Sequence, residues 1–241
     1  YAFNTIYNCF ARTAAFSPNG ADTKIRFRLA EYDPNGRKME EKGINRYSLS
    51  TSDLNNLNPE KIKNNPKICW DYKRYLNIWI VENMGNSVST PHYILNTADL
   101  NQIQGVSFEQ LSLEEIEKQE YSLTDIGLIY GARDFAIEDV GYPTQMGKFF
   151  GLLDTENQKE DYCEDTFAYN TYKEPWNTAL EGSNSRLKIS TDGLIFYSVN
   201  IMDASSYKNT ISMDQVKRIR TITDNCPHRW AWKSDWAFTG K

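Results

Sequence analysis

The sequence predicts a mixed α/β domain with a loop-rich C-terminal part, and three observations carry that expectation. The run YLNIWIVE (75–82) reads as a strand, rich in Ile, Trp and Tyr and apolar on both sides. PTQMGKFFGLLD (143–154) places Met146, Phe149, Phe150 and Leu153 at i, i+3, i+4 and i+7, one face of an amphipathic helix. Strand and helix signals mix through the first two-thirds of the 241 residues, after which the chain turns polar and irregular. A chain of this length can bury a real core, as one large domain or two small ones.

Taken in order, residues 2–16 show apolar positions at helical spacing, and SPNGAD (17–22) makes a turn. IRFRLAEY (25–32) alternates like a strand and closes in DPNG (33–36), a strong turn signal. STSDLNNLNPEKIKNNP (50–66) is polar and Asn-rich, a loop with a short helix. After the strand at 75–82 come LSLEEIEKQE (111–120), a short acidic helix, and TDIGLIYG (124–131), a second apolar strand. The amphipathic helix follows, with Gly141 and Pro143 expected to interrupt its start. Irregular chain then runs to GLIFYSVNIM (193–202), and SMDQVKRIRTI (212–222) closes as a helix.

Composition narrows the function classes. Charged residues are 24% and aromatics 13%, which suits a folded chain rather than a disordered one. A net charge of −5 argues against a nucleic-acid groove, which needs Lys and Arg in surplus on one face. No apolar run reaches the ~18–20 residues that cross a bilayer. Neither a signal peptide nor a lipid-attachment cysteine stands at the front, which decides nothing about export. Cys9, Cys69, Cys163 and Cys226 lack C-x-x-C spacing, so a structural zinc site is not expected, while disulfides are permitted but unspecified.

Several residue sets admit two readings. Only two histidines exist, His92 and His228; they could meet in space as a site or be structural. Asp161, Glu164 and Asp165 in DYCEDT could form a calcium loop or a solvated turn with a helix cap. Trp230, Trp232 and Trp236 in HRWAWKSDWAF could stack sugars, form an interface patch or seal the C-terminal tail onto the body.

The helix at 143–154 has a further property. Zinc peptidases of the metzincin group use H-E-x-x-H-x-x-G-x-x-H, in which histidines at i and i+4 face one way and the glycine lets the chain turn to a third ligand. The matching letters here are T-Q-M-G-K-F-F-G-L-L-D, from Thr144 to Asp154. Around it, YDPNG, KGINR, CWDYKRYLNIWIVE, DYCEDT with Tyr169 and Asn170, and YSVNIMD occur in an order that resembles the pappalysin-like metzincins. The likeness runs over about residues 10–225 and is nearest the zinc-dependent metalloproteinase lipoproteins of Bacteroides-type bacteria.

That resemblance implies a zincin-like fold, α+β or α/β: a mixed twisted sheet, an active-site-type helix, and a loop-rich C-terminal subdomain with a Met-turn at Met202. It implies one catalytic-type domain divided into 1–154 and 155–241, lacking a counterpart of the family's first strand. It also implies an exported protein, in the periplasm or on the outer-membrane surface, touching membrane only through a lipid anchor outside this chain. In the family, the cysteine of the DYCEDT element pairs with one upstream of the Met-turn. RLKISTDGLIF (186–196) offers none, so Cys163 is expected free or paired elsewhere.

The departures fall on the chemistry. Thr144 replaces the first ligand, Gln145 the general base, Lys148 the second ligand and Asp154 the third, while Ala204 stands where a Met-turn tyrosine would assist the oxyanion. Bound zinc lowers the pKa of water from about 15.7 to about 7, and loss of a general base removes a further ~10²- to 10⁴-fold. One carboxylate beside a lysine does not hold zinc against solvent. The expectation is a catalytically inactive, peptide- or protein-binding relative that retains its cleft, with region 85–110 as the edge strand and no bound zinc. The alternatives are a metal-dependent hydrolase using Asp154 with Asp161, Glu164 or His228, and a glycan-binding module using the tryptophans.

Overall fold

The computed structural model describes residues 10, 20–48, 59–82, 85–87, 89–133, 141–156, 160–169, 187–203 and 208–239. In chain order these hold α1 (Pro59–Lys63), β1 (Asn77–Val81), β2 (Tyr93–Leu95), a 3₁₀ turn at Leu100–Ile103, β3 (Glu109–Leu111), α2 (Leu113–Lys118), α3 (Leu123–Ile126) and β4 (Gly127–Gly131). They continue with α4 (Gly141–Phe149), β5 (Leu187–Ile189), β6 (Ile195–Tyr197), α5 (Met213–Asn225), a 3₁₀ stretch at Pro227–Lys233 and α6 (Asp235–Thr239). The chain forms two compact units: one from 1–26, 97–107 and 138–222, the other from 27–96, 108–137 and 223–241.

The second unit is built on parallel ladders. β1 pairs with β4 in the register Asn77↔Gly127 to Val81↔Gly131, and β2 pairs with β3, Tyr93↔Glu109 to Leu95↔Leu111. The strand expected at 75–82 is therefore present, but only one of its faces is covered. Trp79 is buried, whereas Ile78 and Ile80 are 40% and 50% exposed. The covered face meets α1 and α3, which close a core of Ile62, Trp79, Leu123, Ile126 and Ile129. The expected strand at 124–131 begins later: Ser122 and Asp125 form a capping box that winds Leu123–Ile126 into one helical turn, and pairing starts at Gly127. α2 lies within the acidic helix expected at 111–120 and starts on the same device, Ser112 with Glu115.

The alternating stretch 25–32 is not a strand. It runs extended without a ladder: among the described residues it has the bridge Tyr32↔Lys38 that closes the DPNG turn, and the Glu31 and Ala30 carbonyls accept the Met39 and Gly43 N–H groups. Alternation reports an extended chain with one covered side; a strand also needs a neighbour to take its N–H and C=O groups. The turn forms as expected, with Asp33 accepting from the backbone N–H groups of Asn35 and Arg37. Phe10 is helical and fully buried; the rest of the helix expected at 2–16 lies outside the described residues.

The first unit holds α4, the first ten residues of α5, and the antiparallel hairpin β5–β6 in the register Leu187↔Tyr197 to Ile189↔Ile195. β5 precedes the point where order was expected to resume after Asp154. Its three residues alternate Leu, Lys, Ile, and the lysine at the centre hides the pattern. Helix α5 was legible: Ser212 and Gln215 cap it reciprocally, each taking the other's backbone N–H. Among the described residues, no helix is long and apolar enough to cross a membrane.

Candidate functional site

α4 begins at Gly141, so Pro143 lies inside it and does not interrupt it. In a first helical turn the N–H groups have no intrahelical acceptor, so the donor that proline lacks is not missed. Met146 and Phe149 are buried, and Phe150 just past the helix packs its ring 5.2 Å from Phe149 and 5.7 Å from Phe10. The helical face stops there and does not reach Leu153. The Leu152 N–H reaches back to the Gly147 carbonyl at 2.9 Å and the Gly151 N–H to that of Lys148 at 2.9 Å, which is a Schellman motif. Gly151 takes φ +84°, the left-handed conformation the motif demands at that position. The sharp turn anticipated at this glycine is present.

The same turn is gripped from α5. Arg218, 2% exposed, donates Nε to the Gly151 carbonyl at 2.5 Å, Nη1 to that of Gln102 at 3.2 Å and Nη2 to that of Gln104 at 2.7 Å. Burial pulls its pKa down, countered by the nearby Cys163 and Asp161.

Met202 lies under α4. A Cβ placed on Gly147 would fall 2.6 Å from its Sδ, so the absence of a side chain at 147 lets the methionine seat against the helix. The turn around it is fixed by amides. Asn200 Oδ1 accepts the Met202 N–H at 2.9 Å, and the Asn200 and Gln215 side chains exchange two hydrogen bonds at 2.8 and 3.1 Å. The next residue, Asp203, accepts Thr155 Oγ1 at 2.7 Å and the Asn200 N–H at 3.2 Å, which joins the turn to the segment just past Asp154. Burial pushes the Asp203 carboxyl up, against hydrogen bonds from Ser198 and Thr155 and the charge of Lys188.

The substituted positions come together on this frame. Thr144 Oγ1 donates to the Ile201 carbonyl at 2.6 Å and accepts Lys208 Nζ at 2.6 Å. Lys148, one turn further on the same face, places Nζ 2.9 Å from Asp154 Oδ2, an ion pair whose side chains are 24% and 26% exposed. Gln145 Oε1 is buried without a hydrogen-bond partner among the described residues. Ala204 lies outside the described residues. Lys208 belongs to no motif and was missed; nothing in the sequence marks it, since its role depends on meeting Thr144 across 64 residues.

A dication fits this set poorly. At an effective dielectric of about 20, a divalent ion about 4 Å from one ammonium meets roughly 8 kcal/mol of repulsion, and here the Lys148 ammonium is already paired with Asp154. Among the described residues no three of His, Cys, Asp and Glu are placed to share a metal.

The Asp161 and Asp165 carboxylates of DYCEDT bond to local structure. Asp161 accepts Thr166 Oγ1 at 2.6 Å and the Cys163 N–H at 3.2 Å; Asp165 accepts Ser212 Oγ at 2.6 Å and the Asp214 N–H at 3.0 Å, which caps α5. The Glu164 N–H donates to Asp214. Cys69, Cys163 and Cys226 are free thiols, and burial pushes that of Cys163 up to about 12; Cys9 lies outside the described residues.

In the second unit His228 is buried among Tyr72, Tyr121 and Tyr93, ring centroids 5.1, 5.5 and 5.9 Å away, and burial lowers its pKa to about 4. His92 stacks on Tyr93 at 4.4 Å and sits 4.0 Å from Glu109. Trp236 packs on Arg74 and Tyr75, and the indole N–H groups of Trp230 and Trp232 donate to the carbonyls of Asp224 and Thr223. Lys233 Nζ lies 3.4 Å from the ring centroid of Trp230, on a face that a sugar would need.

A short-ended helix, a Schellman turn and a methionine-bearing turn beneath them, within a mixed sheet-and-helix chain, define a zincin-like metzincin fold. The chain is similar to the mature mirolysin of Tannerella forsythia solved with a cleaved peptide, a pappalysin-type metzincin: TM-score 0.56, 16% identity, 98% of this chain and 87% of that one covered. A second mirolysin structure, in complex with a compound, gives a TM-score of 0.53 at 18% identity, with the same coverage. At such identities the likeness is one of fold. No family profile matches the chain. No curated protein matches it either.

Proposed function

We infer that this is a catalytically silent member of the metallopeptidase-like fold, one that works by binding a peptide or protein partner. The observation that carries the reading is the Lys148–Asp154 ion pair at 2.9 Å. It links the helix to the segment after its turn, through the very positions whose counterparts in the metzincin motif are zinc ligands. Gln145 in place of the motif's glutamate reinforces it, since an amide accepts no proton at neutral pH.

Peptide binding is supported by the edge of the β1–β4 ladder. The Ser87 N–H donates to the Ile129 carbonyl at 3.0 Å and Asn86 Oδ1 accepts the Gly131 N–H at 2.8 Å, so residues 86–87 lie antiparallel along β4. Extended peptides add to such edges. The edge is narrower than the 85–110 expected from sequence, because β2 and β3 within that range pair with each other. That mirolysin was solved with a cleaved peptide favours the same ligand class. Export and attachment through a lipid anchor outside this chain complete the proposal.

The test is elemental analysis of protein purified from zinc-supplemented cells, with a peptidase assay in the presence and absence of a chelator. The expected result is sub-stoichiometric metal and no cleavage. One equivalent of a transition metal, with cleavage that a chelator abolishes, would establish the hydrolase instead.

A further inference from the structure

We propose that the free edge of β1 pairs with β1 of a second copy of this chain, antiparallel, to give a closed dimer. This pairing does not depend on the silent, peptide-binding reading.

The β1–β4 ladder has two sides. On the β4 side it continues into residues 86–87; on the other, β1 is the last strand, and among the described residues its backbone bonds to β4 alone. Such an edge presents N–H and C=O groups to any chain that can match them, and native edges are blunted by charge, proline or a bulge. NIWIV (77–81) carries no ionised side chain and no proline, and its five pairs with β4 run without a bulge. The strand is also stiffly held. The Asn77 side chain exchanges hydrogen bonds with the Trp70 main chain at 3.1 and 2.8 Å, and Trp79 Nε1 donates to the Ile68 carbonyl at 3.3 Å. A partner therefore meets an edge that is already extended, and little ordering entropy opposes the pairing.

The strand is complementary to itself. Ile78 and Ile80 flank Trp79, so the centre reads I-W-I from either end. With a two-fold axis at Trp79, Ile78 of each copy lies opposite Ile80 of the other. Both isoleucines stand on the uncovered face, 40% and 50% exposed, and Trp79 on the buried one. The four isoleucines then form one apolar patch of directly opposed side chains, the contact that stabilises paired strands. The charges agree with this register. Glu82 of each copy comes opposite Leu76 of the other, two residues from Arg74. A parallel copy in register would instead set Glu82 beside Glu82 and Arg74 beside Arg74. Each β1 has one free edge and the two-fold uses both, so the assembly closes at two. Five residues a side fall short of the roughly 20–30 of a standard interface, so the dimer is a weak one, dissociating on the order of 10–100 µM.

Sedimentation equilibrium of the full chain tests this. The parent should move from monomer toward twice that mass as concentration rises through about 5–500 µM. Ile80→Lys and Ile78→Glu should each weaken association at least about tenfold, because each sets charges against isoleucine. Mixed in equal amounts, the two variants should dimerise again. The register sets the new lysine opposite the new glutamate on one side and Ile78 opposite Ile80 on the other. Both positions are exposed, and circular dichroism with melting temperature checks that each variant keeps the parent fold. A parent that stays monomeric throughout, or a dimer indifferent to Ile80→Lys, overturns the proposal. A mixture that stays monomeric overturns the antiparallel register.

Discussion

Removing the Arg218 head group while keeping most of its bulk, as in Arg218→Met, tests how the turn after α4 is held. The guanidinium makes three hydrogen bonds to main-chain carbonyls of Gly151, Gln102 and Gln104, and among the described residues no carboxylate bonds to it. Hydrogen bonds from a charged donor contribute about 1.5–3 kcal/mol each, and burying the cation returns several kcal/mol of that. Methionine preserves packing along the stem but strands the three acceptors. The net loss should be about 3–5 kcal/mol: three stranded carbonyls at about 1–3 kcal/mol each, less what is recovered by no longer burying a cation. For a chain of this size about 1 kcal/mol moves the melting temperature by roughly 2–4 °C, so Tm should fall by roughly 6–20 °C. Thermal unfolding and urea midpoints both read it. Arg218→Lys should recover only part, since one ammonium does not span three acceptors held in a fork. A Met variant melting within about 2 °C of the parent would refute the clamp.

Gly147→Val should destabilise by about 2–4 kcal/mol through overpacking on the Met202 Sδ, and by less in a Met202→Ala background, as a double-mutant cycle of urea midpoints would record. His228 stays neutral in the folded state down to about pH 4, whereas an unfolded histidine takes its proton near 6.5. The unfolded chain thus binds more protons between those values, so stability falls on acidification across that window by about 3 kcal/mol from this residue. Raised Asp161 and Asp203 act in the opposite sense, so the measurement is the difference in pH slope between the parent and His228→Phe. Asp165→Ala removes the acceptor at the start of α5 and should cost about 1–2 kcal/mol in chemical denaturation.

What the sequence disclosed was mostly local. The helices expected at 111–120 and 212–222 form on starts, SLEE and SMDQ, that carry Ser with an acid or amide three residues on; SLTD carries the same signal, but the apolar run after it reads as strand from 124 onward. The α4 face and the turn at Gly151 were legible for the same reason: period and a glycine are properties of a short window. Residues 25–32 misled because alternation says nothing of a partner strand, and Pro143 because its penalty depends on which helical turn it occupies. At the site, Thr144, Lys148 and Asp154 could be aligned to a motif, but their mutual arrangement could not be read. Lys208 reaches Thr144 only in the fold, as Arg218 reaches Gln102 across 116 residues. Such pairings leave no periodic trace.

The amide clasp between Asn200 and Gln215 has a consequence for how a scaffold of this kind can change. Most of the hydrogen bonds that shape the loop bearing Met202 come from Asn200, Gln215, Thr155 and Asp203, and of the substituted residues of α4 only Thr144, through the Ile201 carbonyl, is seen to bond to it among the described residues. Mutation can therefore rewrite Gln145 and Lys148 on the helix above while that amide and carboxylate clasp stays in place. An architecture fastened in this way can exchange one chemistry for another while its shape persists.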